Sequence, residues 1–335
     1  LANSNAVFAQ EWTRLKDLRG RWKFEIGDNQ KWAQPDFDDR SWDEIVVPSS
    51  WEDEGFPGYD GYAWYRTRFT LTPDFRQKTI YLHLGRVDDV DQLFLNGHFI
   101  GFHGGFPPDY STSYHVNRTY ILPREYLNYA GENVIAVRVF DDQLEGGIVG
   151  GQVGLFELEN PLNPDLPLDG LWRFSIGDEN EWKDPNFDDS RWQQIVVPLN
   201  WETQGFEDYD GFAWYRKRFR LTSNYDDEKL ILVLGKIDDL DETFLNGERI
   251  GRTGRIYQNR DRITIQGDEW LELRAYYIPR EYLNVNGDNV IAVRVYDGLI
   301  GGGIYDGPIG IVTQKEYRDW FRKYGRTRPS FWDFF

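Results

Sequence analysis

Tyr59-Asp60-Gly61-Tyr62-Ala63-Trp64-Tyr65-Arg66 returns 150 residues downstream as Tyr209-Asp210-Gly211-Phe212-Ala213-Trp214-Tyr215-Arg216. Each copy opens on a glycine turn and alternates into Arg66, Arg68 and Phe69, or Arg216, Arg218 and Phe219. That is the grammar of a strand with one packed face and one wet face. An offset of 150 residues is about one ordinary domain, so the chain reads as two copies of one unit.

The repeat extends in both directions from this strand. Upstream, Gly20-Arg21-Trp22-Lys23-Phe24 pairs with Gly170-Leu171-Trp172-Arg173-Phe174. Phe37-Asp38-Asp39 with Trp42 pairs with Phe187-Asp188-Asp189 and Trp192, which suggests irregular loops pinned to a core by large rings. Downstream, Val87-Asp88-Asp89-Val90-Asp91 and Ile237-Asp238-Asp239-Leu240-Asp241 lead into strands ending at Asn96-Gly97 and Asn246-Gly247. Asn-Gly between apolar runs predicts a hairpin, because both turn residues must take positive φ. Pro123 pairs with Pro279, so the second copy carries six extra residues around Arg252–Arg274. Gly146-Gly147 and Gly302-Gly303 precede the last strand of each unit, and no Lys or Ser/Thr follows at phosphate-loop spacing. They read as bulge or loop glycines.

These marks divide the chain into a lead (1–9), a first domain (10–158), a proline-bearing linker (159–169), a second domain (170–313) and a tail (314–335). The expected fold is all-β, two tandem β-sandwiches of jelly-roll type followed by a short helical and aromatic tail. In the tail, Tyr317, Trp320, Phe321 and Tyr324 fall on one helical stripe, and Phe331, Trp332, Phe334 and Phe335 crowd the end. So many rings need cover. They either fold back on the protein or dock on another subunit, which makes Trp320, Phe331, Trp332, Phe334 and Phe335 candidate contacts of a homo-oligomer.

Composition excludes several functions. The formal charge is −18, so no basic footprint for nucleic acid or an anionic membrane surface is visible, and neither is expected as a partner. With no cysteine, disulfides, thiol nucleophiles and Cys-ligated zinc are out. The four histidines all lie in the first copy and match no zinc spacing. Val7-Phe8-Ala9 has the small residues of a signal-peptidase site, so residues 1–9 are either a signal-peptide remnant or a disordered lead. On the first reading the protein is exported, to the cell surface, the medium or the periplasm.

The ordered set Trp-x-Phe, Phe-Asp-Asp-x-x-Trp, Val-Pro-x-x-Trp-Glu, Trp-Tyr-Arg, Asp-Asp-x-Asp, Asn-Gly-x-x-Ile-Gly and Asn-Val-Ile-Ala-Val-Arg-Val resembles the galactose-binding-like jelly roll of glycoside hydrolase family 2. The same module accompanies sialate O-acetylesterases. The resemblance covers roughly residues 12–158 and 162–312, and it implies the accessory, non-catalytic module twice over. In that family the catalytic glutamates stand on a separate (β/α)8 barrel, for which these 335 residues leave no room. The resemblance also implies a sugar-facing role for Tyr59, Asp60, Trp64, Asp141, Asp142 and Glu145. In the second copy the matching positions are Tyr209, Asp210, Trp214, Asp297, Tyr305 and Asp306.

Rings beside carboxylates are what a sugar site uses, since pyranose CH faces stack on aromatics and hydroxyls bond to acids. The competing reading packs Trp64 and Trp214 inside the sandwich, with Arg66 and Arg216 paired to the Asp-Asp-x-Asp carboxylates. Neighbouring acids at a strand entry are poorly placed for catalysis, which needs two carboxylates across a bond. No cofactor is expected beyond a structural calcium ion, which the Asp clusters admit through oxygen ligands although no Asp-x-Asp-x-Asp-Gly loop is present. The leading expectation is an extracellular carbohydrate-binding protein without catalysis, with a glycan or polysaccharide as partner. The alternative is a structural subunit that assembles through its tail.

Overall fold

The computed structural model describes residues 12–158, 162–221, 225, 228–256, 263–264, 267–299 and 301–324. The chain forms two compact units, each an antiparallel sandwich. The first contains β1 (Trp12–Asp17), β2 (Gly20–Ile26), β3 (Asp43–Val47), β4 (Gly61–Thr70), β5 (Ile80–Asp88), β6 (Val90–Leu95), β7 (His98–His103), β8 (Asn117–Leu122), β9 (Glu132–Asp141) and β10 (Gly147–Leu158). A six-stranded sheet in the order β3-β2-β4-β9-β6-β7 faces a four-stranded sheet in the order β1-β10-β5-β8.

The second unit contains β11 (Leu166–Pro167), β12 (Gly170–Ile176), β13 (Gln193–Val197), β14 (Gly211–Arg220), β15 (Leu230–Asp238), β16 (Leu240–Leu245) and β17 (Glu248–Thr253). It continues through β18 (Arg255–Ile256), β19 (Ile263–Thr264), β20 (Leu273–Ile278), β21 (Asp288–Asp297) and β22 (Gly303–Thr313). Its sheets run β13-β12-β14-β21-β16-β17 and β11-β22-β15-β20, the same order as in the first unit, while β18 and β19 pair within the inserted loop. The stretch read as a linker is partly drawn into this fold: β11 pairs with β22, and Leu162 and Leu168 are buried.

β4 shows how the sequence builds the sandwich. Ala63 and Tyr65 point inward with Trp22, Phe24, Val137 and Leu155. Trp64 points to the opposite face, yet it is also fully buried, beneath the loop that carries Trp32, Phe37 and Trp42. Trp32 and Trp42 meet edge to face at 5.1 Å, so the Asp-rich loop is a second apolar layer closed by its rings. Asn96-Gly97 and Asn246-Gly247 form the expected hairpin turns, with φ of 51° and 84°, and 50° and 90°.

Gln314–Tyr324 form helix α1. Thr313 caps it: its hydroxyl accepts from the Glu316 amide, and the Glu316 carboxylate accepts in return from the Thr313 amide at 3.1 Å. Tyr317 and Trp320 pack on Leu162, Ile231, Val233 and Val312, on the sheet of their own unit. Trp320, a candidate subunit contact from the sequence, is therefore half-buried inside its own domain, while Phe331, Trp332, Phe334 and Phe335 lie outside the described residues. Among the described residues no helix is long and apolar enough to cross a membrane.

Candidate functional site

Strand pairing brings the sequence candidates of each unit to one end of its sandwich. Gly61 pairs with Asp141, so the Tyr59-Asp60 turn lies beside the end of β9. Gly147 pairs with Asp88, which brings the end of β5 to the same place. In the second unit Gly211 pairs with Asp297 and Gly303 with Asp238.

The floor of this end is built by large rings and by glycines that fit over them. A Cβ on Gly146 would stand 2.1 Å from the Trp51 ring, and one on Gly147 would stand 2.3 Å from the Tyr65 hydroxyl. A Cβ on Gly302 or Gly303 would stand at the same distances from Trp201 and Tyr215. Glu52 accepts from the Gly146 amide at 3.1 Å, and Glu202 from the Gly302 amide at 2.9 Å. The paired glycines are thus required by close packing, and the Trp-Glu motif holds their loop in place.

At the centre stand three carboxylates. One oxygen from each of Asp88, Asp89 and Asp141 lies within 4.8 Å of the others, and Asp238, Asp239 and Asp297 repeat the arrangement. The Asp88–Asp89 and Asp238–Asp239 peptide bonds are both cis. Asp141 and Asp297 are completely buried. Among the described residues neither oxygen of Asp141 and only one of Asp297 makes a well-formed hydrogen bond, the nearest donors being the backbone amides of Gln143 and Leu299. Burial first, and then the neighbouring acids, push both Asp141 and Asp297 up to about 7. Burial likewise raises Asp88 and Asp238, reinforced by a hydrogen bond to the next aspartate. Burial works against charge on Asp89 too, but donors outweigh it: the Thr112 and Tyr110 hydroxyls and the Asp142 amide hold its carboxyl below the ordinary range.

The third acid of each Asp-Asp-x-Asp motif turns the other way. Asp91 pairs with Arg118 at 2.6 Å, and Asp241 with Arg274 at 3.0 Å, all four side chains being fully buried. This corrects the pairing expected from sequence. Arg66 bonds to Asp39 at 2.7 Å and Arg216 to Asp189 at 2.7 Å, in the Trp-closed loop, because both arginines share the outward face of Trp64 and Trp214. The motif thus divides into two functions, two acids at the cluster and one in a buried ion pair.

The residues to which the resemblance gave a sugar-facing role take several different places in the structure. Trp64 and Trp214 are buried under the Trp-closed loops and donate to Asp28 and Asp178, so neither ring offers a face to a ligand. Asp141 and Asp297 are fully buried members of the carboxylate clusters. Tyr59 and Tyr209 are half-buried, each packed on a core Trp and donating to the carbonyl of Tyr62 or Phe212 at 2.7 Å. Asp60, Asp142 and Glu145 are exposed around the first cluster, and Asp210 is exposed at the second. Tyr305 donates to the Trp270 carbonyl, and Asp306 is paired to Lys236 at 2.8 Å.

One ring that the sequence reading passed over stands at this end. Tyr110 is 36% exposed, donates to Asp89 at 2.6 Å and meets Phe140 edge to face. Phe140 in turn contacts Tyr62, which stacks on Phe106. Nothing in the spacing around Tyr110 announces it, since its loop has no counterpart at a constant offset in the second copy.

A family model described as the beta-galactosidase second all-beta domain matches residues 27–145 and again 177–298. Curated relatives include a beta-galactosidase of Vibrio vulnificus, 27% identical over 150 residues that cover 37% of this chain and 13% of the relative. A beta-galactosidase of Bacteroides ovatus is 30% identical over 137 residues, 37% of this chain and 15% of that one. The chain therefore spans less than a sixth of the length of these enzymes. Among solved structures, a Bacteroides uniformis beta-glucuronidase aligns over 90% of this chain and 28% of its own, with 17% identity and a TM-score of 0.36. The family model takes in both copies of the repeat and most of the sequence, and the protein accordingly belongs to the family of beta-galactosidase second all-beta domains.

Proposed function

We propose that the protein binds carbohydrate, without catalysing its hydrolysis, at the loop end of its sandwiches. The observation that carries this reading is the surface around the first cluster, where the exposed Tyr110 bonds to Asp89 and the exposed acids Asp60, Asp142 and Glu145 lie near members of the same cluster. A ring face suits the CH face of a pyranose, and carboxylates with no ion pair among the described residues suit its hydroxyls. The family is named for a domain of glycosidases, which adds support for a glycan ligand.

The same geometry argues against hydrolysis at this place. The two carboxylates of a glycosidase flank a bond with a sugar between them, at separations of about 5–9.5 Å. Here the acids crowd within 4.8 Å, and Asp141 is sealed from solvent. A glycan array with the full chain, followed by calorimetry on the best ligand, tests the reading. Tyr110→Ala and Asp142→Ala are each expected to weaken binding about tenfold, the value of one stacking contact or a few hydrogen bonds. Retention of no glycan, or binding indifferent to both substitutions, overturns it.

A further inference from the structure

We propose that each carboxylate cluster, Asp88–Asp89–Asp141 and Asp238–Asp239–Asp297, holds one calcium ion. The inference goes beyond glycan binding and stands or falls separately from it.

Three observations converge. First, the oxygens lie within 4.8 Å of one another. Ligands on opposite sides of a calcium ion stand about 4.6–5.2 Å apart, so one oxygen from each residue fits a single coordination sphere. Second, Asp141 is fully buried, lies in the cluster and, among the described residues, has no well-formed hydrogen bond to either oxygen, with only the Gln143 amide near it. Asp297 repeats this with one unpartnered oxygen. Buried carboxylates are ordinarily satisfied, so this orphaned pair of lone-pair-rich oxygens calls for a ligand. Third, the arrangement occurs twice, in two units whose surrounding loops differ in length.

Charge balance points the same way. Arg118 and Arg274 are the nearby cations, and each is matched by its own buried acid, Asp91 or Asp241. Among the described residues each cluster is left with three acids and no cation paired to them, Arg118 and Arg274 acting on Asp88 and Asp238 only from a distance. Three carboxylates this close cannot all ionise unless a cation joins them, and the alternative is that they share protons. Oxygen-only donors and several carboxylates favour a hard cation with flexible coordination, which is calcium rather than a thiolate- or imidazole-seeking metal. Asp142 and Gly298 donate their amides to Asp89 and Asp239 at 3.2 Å, so an ion would brace the loop that follows β9 and β21.

The test is calorimetric titration of the chelator-stripped full chain with calcium chloride, alongside thermal melts with and without calcium. Two equivalents per chain and a calcium-dependent rise in Tm are expected. Asp141→Asn and Asp297→Asn, which keep shape and remove charge, should each abolish one equivalent, and together both. Without calcium these variants should melt no lower than the parent, because they relieve repulsion. That outcome separates an ion site from acids that merely stabilise the fold. Absence of calcium binding, or binding that survives the double substitution, overturns the proposal and leaves the clusters as proton-sharing acids.

Discussion

Arg118 donates through Nε to Asp91 at 2.6 Å, and the far edge of the same guanidinium donates to the backbone carbonyl of Asp89 at 2.9 Å. One buried side chain thus neutralises an acid and fixes the backbone beneath the carboxylate cluster. Arg274 does the same, donating to Asp241 at 3.0 Å and to the Asp239 carbonyl at 2.7 Å. Arg118→Leu would strand Asp91 as a buried, uncompensated charge. A loss of about 3–5 kcal/mol is expected, read as a lower denaturation midpoint for the first unit. Arg118→Lys should recover part of it, since one ammonium cannot span both acceptors.

Gly146 should tolerate no side chain. Alanine there would press on Trp51 at 2.1 Å and on the Asp141 Cβ at 2.9 Å. Gly146→Ala is expected to cost about 1–3 kcal/mol through overpacking. Gly58, which has positive φ but nothing within 4 Å of the added carbon, provides the control, with only the backbone penalty of about 1 kcal/mol. Chemical denaturation of the two variants side by side checks the ranking.

Acid should weaken the first unit through Asp28 and Asp39. Burial opposes charge on both, but the hydrogen bonds outweigh it, from Arg138 and Trp64 to Asp28 and from Arg68 and Arg66 to Asp39. Their folded carboxyls therefore lie below the ordinary value. A depressed acid contributes stability that is fully present above its unfolded value, about 3.9, and is lost as pH falls through the folded value. Denaturation curves between neutrality and pH 2 should decline more gently for Asp28→Asn than for the parent, from a lower starting point. Parallel curves would contradict this.

Helix α1 should act as part of the second unit. Trp320→Ala removes a ring from the layer over Ile231 and Val312, and Thr313→Ala removes the cap. Losses of about 1–3 kcal/mol for the half-buried ring and about 1 kcal/mol for the cap are expected. Calorimetric scans should show the transition of the second unit moving while that of the first stays in place. Light scattering on a chain ending before Gln314 would distinguish this from a role in assembly, which requires a change in mass.

The repeat, the all-β class, the Asn-Gly hairpins and the glycine loops were all legible in the sequence, because each depends on local chemistry. Trp64 was harder. Strand alternation shows only that it faces away from Tyr65, and its burial depends on Trp32 and Trp42, which fold over that face from the preceding loop. Arg66 was assigned to the wrong acid for a related reason: Asp39 is as plausible a partner as Asp89 until the facing of the strand is known. The cluster of Asp88, Asp89 and Asp141 joins residues far apart in sequence, and it is the pairing of β6 with β9, Val90 opposite Phe140, that sets Asp89 beside Asp141. Its sequence signal was the doubled aspartate at the same offset in both copies.

The layer of Trp32, Phe37 and Trp42 over the six-stranded sheet has a consequence for recognition. A sheet left bare on one side can cradle a long polymer along its strands, but here the loop rings cover Trp64, Phe94 and Ala136 on that face. A glycan seated at the loop end would be met tip first, and such a module would sense chain termini and branches in preference to the interior of a polysaccharide.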